Sequence, residues 1–468
     1  MENTQTQPNT NVRTGPIVAV LISGAFIAIL NQTLLATALP HIMKDLSLSP
    51  NTVQWLQTIF LLVNGIMIPI TAFLTAKFTT RALFLSAVAL FAIGTFVCSI
   101  APGFSLLIVG RIIQGAGAGI ILPLIQTVLF VIFPIEKRGQ AMGIFGLVIA
   151  FAPAIGPTLS GWIVDQYPWR TLFDIVLPIA IIDFIVAFFI LKNVTEQTHP
   201  KLDISSIVLS TLGFGGLLFG FSSAGNIGWG SPLVYIPLAV GVISLVIFIR
   251  RQFHLKEPIL EFKVFQNRTF TFTTMIAAIV FVVMISSATI LPIYMQNLLN
   301  YSALKSGLML LPGAIVMGAM SPISGRLYDR IGAKKLAIPG LLITTVTTFL
   351  LSNLSSETSF AYLATINAIR LFGVGMVMMP VTTAGLNQLP KHLISHGTAM
   401  NNTMRQIAGS IGTAILFTVI ASAQMATGQQ GGQGMIHGIN ISFIVTGVIC
   451  ACGLIFAFLL HEDKENTE

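Results

Sequence analysis

The sequence predicts an all-α integral membrane protein of about 14 transmembrane helices, arranged as two parallel six-helix halves with two helices inserted between them. Three observations carry this: a chain with few charges, long apolar runs between polar breaks, and an internal repeat at a fixed offset. Of 468 residues, 54% are hydrophobic and 9% charged, whereas soluble domains carry about 25% charged residues. Most of the chain therefore has no aqueous surface to cover, and its mean hydropathy of +0.87 agrees.

A helix needs about 20 apolar residues to cross a bilayer. Runs of that kind fall at 16–39, 53–76, 82–101, 104–133, 139–164, 171–191, 204–225, 232–249, 269–297, 303–325, 336–354, 359–388, 396–424 and 436–460. They divide the chain into a tail at 1–15, a first half at 16–192, a two-helix insert with its loop at 193–268, a second half at 269–460 and a tail at 461–468. An even number of spans puts both termini on one side. With the termini inside, eighteen of the 24 Lys and Arg residues fall in inner segments, three in outer loops (Lys44, Arg170, Lys305) and three within spans. That bias places both termini in the cytoplasm and the protein in the cytoplasmic membrane. The same short loops account for the net charge of +8, which is not gathered on one face as a nucleic-acid surface requires.

The repeat is read from three matches. Ile68–Lys77 resembles Ser321–Arg330, placing Pro69 against Pro322; Leu39-Pro40, at the end of the first span, recurs as Leu291-Pro292; and Arg111 in span four is echoed by Arg370 in span twelve. Two parallel halves of this kind suit alternating access, in which the halves rock about a site at the midplane.

Several classes are excluded or disfavoured. No Gly-x-x-x-x-Gly-Lys-Ser/Thr loop is present, which argues against ATP as direct energy source. Cys98, Cys450 and Cys452 sit in apolar runs without metal-ligand spacing. His392 and His396 are four apart but in a loop, a weak metal motif. No loop is long enough for a catalytic domain, so an enzyme is not expected, nor a metal or cofactor. The expected partners are a small-molecule substrate and the lipid bilayer, with no nucleic acid, and the chain is expected to act as a monomer.

Four segments carry chemistry. In Gly325-Arg326-Leu327-Tyr328-Asp329-Arg330-Ile331-Gly332, Gly325 lets helices approach and Gly332 suits a positive φ. Asp329 is placed to pair with a basic residue or a helix N-terminus as a breakable latch; the plainer reading is a solvated turn. The first-half copy has Ala76 in place of the acid and Thr79 in place of the second glycine. In span four, Arg111 costs at least about 2.5 kcal/mol to insert and needs a partner or a wet cavity; Gln114, Gly115 and Ala118 share its face. In span five, Pro153, Pro157 and Gly161 recur every four residues and predict a bent helix with a small-residue contact stripe. In span thirteen, Asn401, Arg405, Gly409 and Gly412 form a polar face that reads either as a ligand site or as hydrogen-bond glue between helices.

On these residues the chain resembles the major facilitator superfamily, in its fourteen-spanner drug:proton antiporter branch of multidrug-efflux and lincomycin-resistance-like bacterial exporters. Gly325–Lys335 resembles the superfamily's loop signature and Arg111–Gly115 its fourth-helix signature. Gly156-Pro157 with Gly161 is similar to the fifth-helix antiporter signature, with Ala152 and Ser160 replacing two usual glycines. Asn31–Pro40 resembles the branch's first-helix signature, and Trp169-Arg170 with Phe173 and Pro178 its sixth-helix entry. The resemblance implies the major-facilitator fold and a proton gradient as energy source. One departure matters: the branch has Asp where this chain has Asn31, which carries no proton.

The coupling acid must then lie elsewhere. Asp174 and Asp183 are the acids within the spans, nine positions apart and so on opposite sides of their helix; at most one faces a central cavity. Asp183 is the deeper, Asp174 is near the outer end within reach of Arg170, and Arg111 completes the proton-coupling candidates. Asn31, Gln32, Gln57, Asn64, Gln114, Met376, Met379, Asn401 and Arg405 are the cavity and substrate candidates; Gly115, Pro153, Gly156, Pro157, Gly161, Gly325, Asp329, Arg330 and Gly332 are the conformational ones. The expected function is proton-coupled export of amphipathic drug-like compounds by alternating access. Three arginines against two acids in the spans keep export of an anionic, nucleotide-like metabolite open; a membrane enzyme or sensor is the outside alternative.

Overall fold

The computed structural model describes residues 14–195, 197–198, 200–426 and 432–460. Both predicted tails lie essentially outside them. Fourteen long helices follow one another. The first half is α1 (Thr14–Asp45), α2 (Pro50–Lys77), α3 (Thr80–Ser99), α4 (Phe104–Ile132), α5 (Arg138–Gln166) and α6 (Thr171–Ile190). The insert is α7 (Ile204–Ile227) and α8 (Pro232–His254). The second half is α9 (Arg268–Asn297), α10 (Ala303–Ile331), α11 (Lys334–Leu350), α12 (Phe360–Asn387), α13 (Ile394–Ala426) and α14 (Gly432–Phe458).

Helices are forced here because an apolar environment offers the backbone no partner but itself. Thirteen of the fourteen are long and apolar enough to cross a membrane; α11, with 17 residues, sits at the short limit of about 17. Side chains close several starts: Ser49, Thr79, Asn267, Ser302 and Ser359 each accept from a backbone N–H in the first turn that follows. Gly332 closes α10 at φ +84°, as its position predicted. Pro40 does not end α1, which runs on to Asp45. A proline forfeits its own N–H and perturbs one turn, and the residues beyond it resume bonding, as Leu46 N–H to the Ile42 carbonyl shows.

Glycines set the closest helix crossings. A Cβ on Gly117 would run into the Ala87 carbonyl across α3 and α4, and one on Gly373 into the Gly340 carbonyl across α11 and α12. Between the halves, α5 packs against α10 along one seam, and α13 packs against α2 and α4 along the other. The inserted helix α7 lies along the second seam and touches both sides of it: Gly215 faces Ile66 of α2, and Gly225 faces Phe417 of α13. The helix ends near Arg138, Arg330 and Lys391 form what is called the basic face below.

Candidate functional site

At the basic face the halves are tied by polar groups. Asp329, at the end of α10, accepts from the backbone N–H of Gly139 (2.9 Å) and Gln140 (3.0 Å) in the first turn of α5. Those donors have no partner inside their own helix, and the N-terminus is the positive end of its dipole. Arg138 donates to Asn387 Oδ1 (2.9 Å), and the Asn387 amide donates to the Tyr328 hydroxyl (3.0 Å). The approach is possible because Gly139 and Gly325 face each other: a Cβ on either would overlap the other's backbone. Gly143 meets Ser321 and Gly146 meets Met379 further along the same crossing. Of the two readings of the loop, the helix-terminus pairing is the one present; Arg330 is exposed. On the second seam, Asn402 of α13 donates to Gln126 Oε1 of α4 at 2.5 Å.

Beyond these ties a cavity of about 120 Å³ opens between the halves. Ile149, Ala150, Pro153 and Ala154 of α5 form one wall; Met284, Ser287 and Ala288 of α9, Leu310, Ala314 and Met317 of α10, and Asn367 and Leu371 of α12 form the rest. None of these side chains is ionisable. Asn367 is fully buried, and neither its amide nitrogen nor its amide oxygen has a hydrogen-bond partner.

The predicted cavity residues are placed elsewhere. Asn31, Gln32, Gln57, Asn64, Gln114, Met376, Met379, Asn401 and Arg405 do not line this cavity. Met376 turns its Cβ towards Gly340 of α11, while Met379 is spent in the α5 crossing; Met284 and Met317 take the role expected of them. Asn31 is buried with its amide nitrogen unpartnered, and Gln32 and Gln57 are half-buried. Asn64 is buried on α2, where its backbone packs on Gly119. Asn401 reaches Thr274 of α9 at 3.4 Å, which is helix–helix glue. Hydropathy says that a residue is within a span; it does not say which neighbour that residue meets.

The three arginines are inside the bundles as well. Arg111 is fully buried over the Phe60 ring (4.2 Å) and donates to the Leu56 carbonyl (3.0 Å) and to Gln114 (2.9 Å), which in turn donates to Thr95 (2.8 Å). Gly115 gives α4 its close contact with Phe60 of α2. Arg370 donates to the Val283 carbonyl (3.0 Å), and Arg405 stacks on Phe281 (5.1 Å). None of the three guanidiniums is among the residues lining the cavity, although Arg370, beside Leu371, has its Nε and Nη1 without partners.

Asp183 and Asp174 do point apart, but towards α1 and α3 and not into the cavity. Asp183, buried, accepts from Ser23 of α1 and lies against Gly24; its second oxygen has no partner. Asp174 accepts from Ser99 at the end of α3. It does not pair with Arg170, which forms its ion pair with Asp45 (3.1 Å) and donates to the Ala101 carbonyl (2.9 Å). In the α5 stripe, Pro153 lines the cavity, Pro157 is half-buried, and Gly161 has open space around it, while Gly156 beside the stripe receives Thr33 of α1. The close contact is therefore at Gly156 and not along the stripe.

Sequence reasoning passed over Asn367, Gln126, Asn402 and Ser23. Asn367 had a legible signal: an amide inside an apolar run, one turn before Arg370, incurs the same burial cost that drew attention to the arginines.

Two helical halves that flank an apolar cavity and are tied across one face have the architecture of a multi-pass membrane protein. The chain belongs to the Major Facilitator Superfamily, whose model matches residues 21–413. It is 53% identical to the uncharacterized MFS-type transporter YcnB of Bacillus subtilis, over 98% of this chain and 99% of that one. It is 41% identical to the lincomycin resistance protein LmrB of Listeria monocytogenes, over 97% and 98%, and 30% identical to the multidrug export protein EmrB of Haemophilus influenzae, over 85% and 79%. The human organic anion transporter MFSD10 (TETRAN) shares the fold, with a TM-score of 0.69 at 14% identity over 95% of this chain and all of that one.

Proposed function

We propose that this chain is a proton-coupled antiporter that exports amphipathic drug-like compounds by alternating access across the cytoplasmic membrane, with the basic face and both termini in the cytoplasm. The carrying observation is the cavity shared by the two halves and closed at the basic face by a few polar ties. Rigid rocking of one half against the other would break the Asp329 and Asn387 contacts together and admit cargo from that face. The lincomycin-resistance and multidrug-export relatives supply the cargo class, and the Lys and Arg bias supplies the orientation.

For the proton, Asp183 is the best-placed carrier. It is the only buried carboxylate among the described residues, and it sits on Ser23, two turns along α1 from Asn31 and Gln32. A proton gained or lost there changes the α1–α6 contact, which couples its charge to the tilt of a helix packed on α5. In proteoliposomes, efflux of a fluorescent amphipathic cargo should follow an imposed pH gradient. Asp183→Asn should cut gradient-driven efflux at least tenfold and leave downhill exchange largely intact. Efflux indifferent to the gradient in the unmodified protein would sink proton coupling, and full activity in Asp183→Asn would sink this carrier.

A further inference from the structure

From the chemistry of the cavity wall we infer that Asn367 selects the cargo, and that the preferred cargo is uncharged: an apolar body carrying a hydrogen-bond donor and acceptor side by side, as in an amide. The inference rests on the export reading for its biological sense, but its first test is binding alone.

Four features point the same way. The walls around Asn367, such as Met284, Leu310, Met317 and Leu371, are apolar, and the lining holds no acid or base. A cation or an anion moved into such a space loses its hydration and meets no counter-ion among the lining side chains, which disfavours both. The Asn367 carboxamide presents two donors and an acceptor in one plane, and both of its heavy atoms are buried without partners. A buried amide left in that state is costly, and an amide-like group of a ligand is complementary to both atoms at once.

Beside the amide, α10 packs close, and only a glycine leaves the carboxamide uncrowded. Opposite Asn367, α10 carries Gly313, where a Cβ would stand 3.0 Å from Asn367 Nδ2 and 2.7 Å from Leu371 Cδ1. Any larger residue there would crowd the amide and its neighbour. The positive charge nearest in sequence, Arg370, lies one turn further along α12 and donates to the Val283 carbonyl; it is not among the lining residues. The polar recognition in this cavity is therefore that of a neutral amide, with the two methionines providing an adaptable apolar surround.

The test uses three probes that share one dansylated alkyl body and end in a carboxamide, a trimethylammonium or a carboxylate. Binding is read by dansyl fluorescence on the full chain in nanodiscs at pH 7, without any gradient. The carboxamide should bind at least tenfold more tightly than either charged probe. Asn367→Leu, close in size but without the amide, should cost the carboxamide about tenfold and change the charged probes little. Asn367→Asp should reverse the ranking in favour of the trimethylammonium probe. Gly313→Ala, which leaves Asn367 itself untouched, should weaken the carboxamide more than the other two and guards against a misfolded Asn367 variant.

Equal binding of all three probes, or preference for a charged one, would overturn the inference. So would an Asn367→Leu protein that melts normally and binds the carboxamide as before, the result expected if internal water alone serves the amide. The predicted ranking in nanodiscs with no efflux from proteoliposomes would uphold the selectivity while removing the export reading.

Discussion

Along the α5–α10 seam the two halves are held by charge and by glycine. Asp329 caps α5 through two backbone N–H groups, Gly139 lies on Gly325, and no side chain intervenes. Along the α2–α13 seam the corresponding acid is missing, because Ala76 stands where Asp329 does in the repeat. There, among the described residues, a neutral bond from Asn402 to Gln126 is the polar tie in place of the acid, and the inserted helix α7 is packed along the join. Leu218 of α7 and Gln406 of α13 both reach the surface left bare by Gly65 of α2. Phe219 stacks on Trp55 of α2 at 5.4 Å, and Trp229, just beyond α7, donates to Thr418 of α13 at 2.7 Å. One seam thus has an acid on a helix N-terminus; the other has an apolar strip and a weak tie. If the halves rock as proposed, the first is where a change of charge moves the equilibrium.

That difference predicts unequal responses. Asp329→Asn keeps the size of the side chain but removes its charge and one of its two acceptors, since the amide nitrogen cannot accept from the Gly139 or Gln140 N–H. Loss of a charged cap costs about 1–2 kcal/mol, or roughly a five- to thirtyfold shift away from the state closed at the basic face. Spin labels at the exposed Lys137 and Arg330 should show a longer-distance population grow in Asp329→Asn. An unchanged distance distribution would mean that the glycine crossing alone holds this seam.

On the other seam, Asn402→Leu removes the bond across to Gln126, together with the intrahelical one to the Thr398 carbonyl, and leaves Gln126 unpaired. The expected cost is about 0.5–1.5 kcal/mol, so labels at Phe78 and Lys391 should report a shift of only roughly two- to tenfold. A larger shift than that of Asp329→Asn would reverse the ranking of the two seams.

The sequence made the latch more legible than the cavity, and the reason is physical. Asp329, Gly325 and Gly332 stand out because a charge and two glycines in a short turn have few other uses, and the erosion at Ala76 could be read directly. Span number, repeat and orientation rest on hydropathy and charge counts, which average over many residues. The cavity depends on which face of each helix meets which neighbour, and apolar side chains that face lipid or core look alike. Hence Met376 was expected in the cavity and meets α11, while Met317 and Asn367 line it. Asp174 and Arg170 were near enough in sequence to pair; Arg170 instead takes Asp45, 125 residues away along the chain. Burial makes a polar group important, and only packing decides its partner.

The smallest effect is expected at the base of the insert, and it sharpens the view of α7 as an apolar strip. Asp203 precedes α7 and accepts from Arg251 of α8 at 2.7 and 3.0 Å, with Ser206 at 2.6 Å. The Arg251 hydrogen bonds, more than the slight burial opposing them, hold the Asp203 carboxyl down at about 2 from an ordinary 3.8. A carboxyl depressed on folding contributes stability at every pH above its unfolded value and loses it only as pH falls through the folded one. The clamp is therefore fully formed from pH 5 to 8, and salt screens it because Arg251 is exposed. Arg251→Ala should lower the melting temperature slightly, by the same amount at pH 5 and pH 8, and leave the Phe78–Lys391 distances unchanged. If those distances lengthened, the seam would depend on the ion pair at the foot of the insert, and the apolar packing of Leu218 and Phe219 would not be what holds α7 in place.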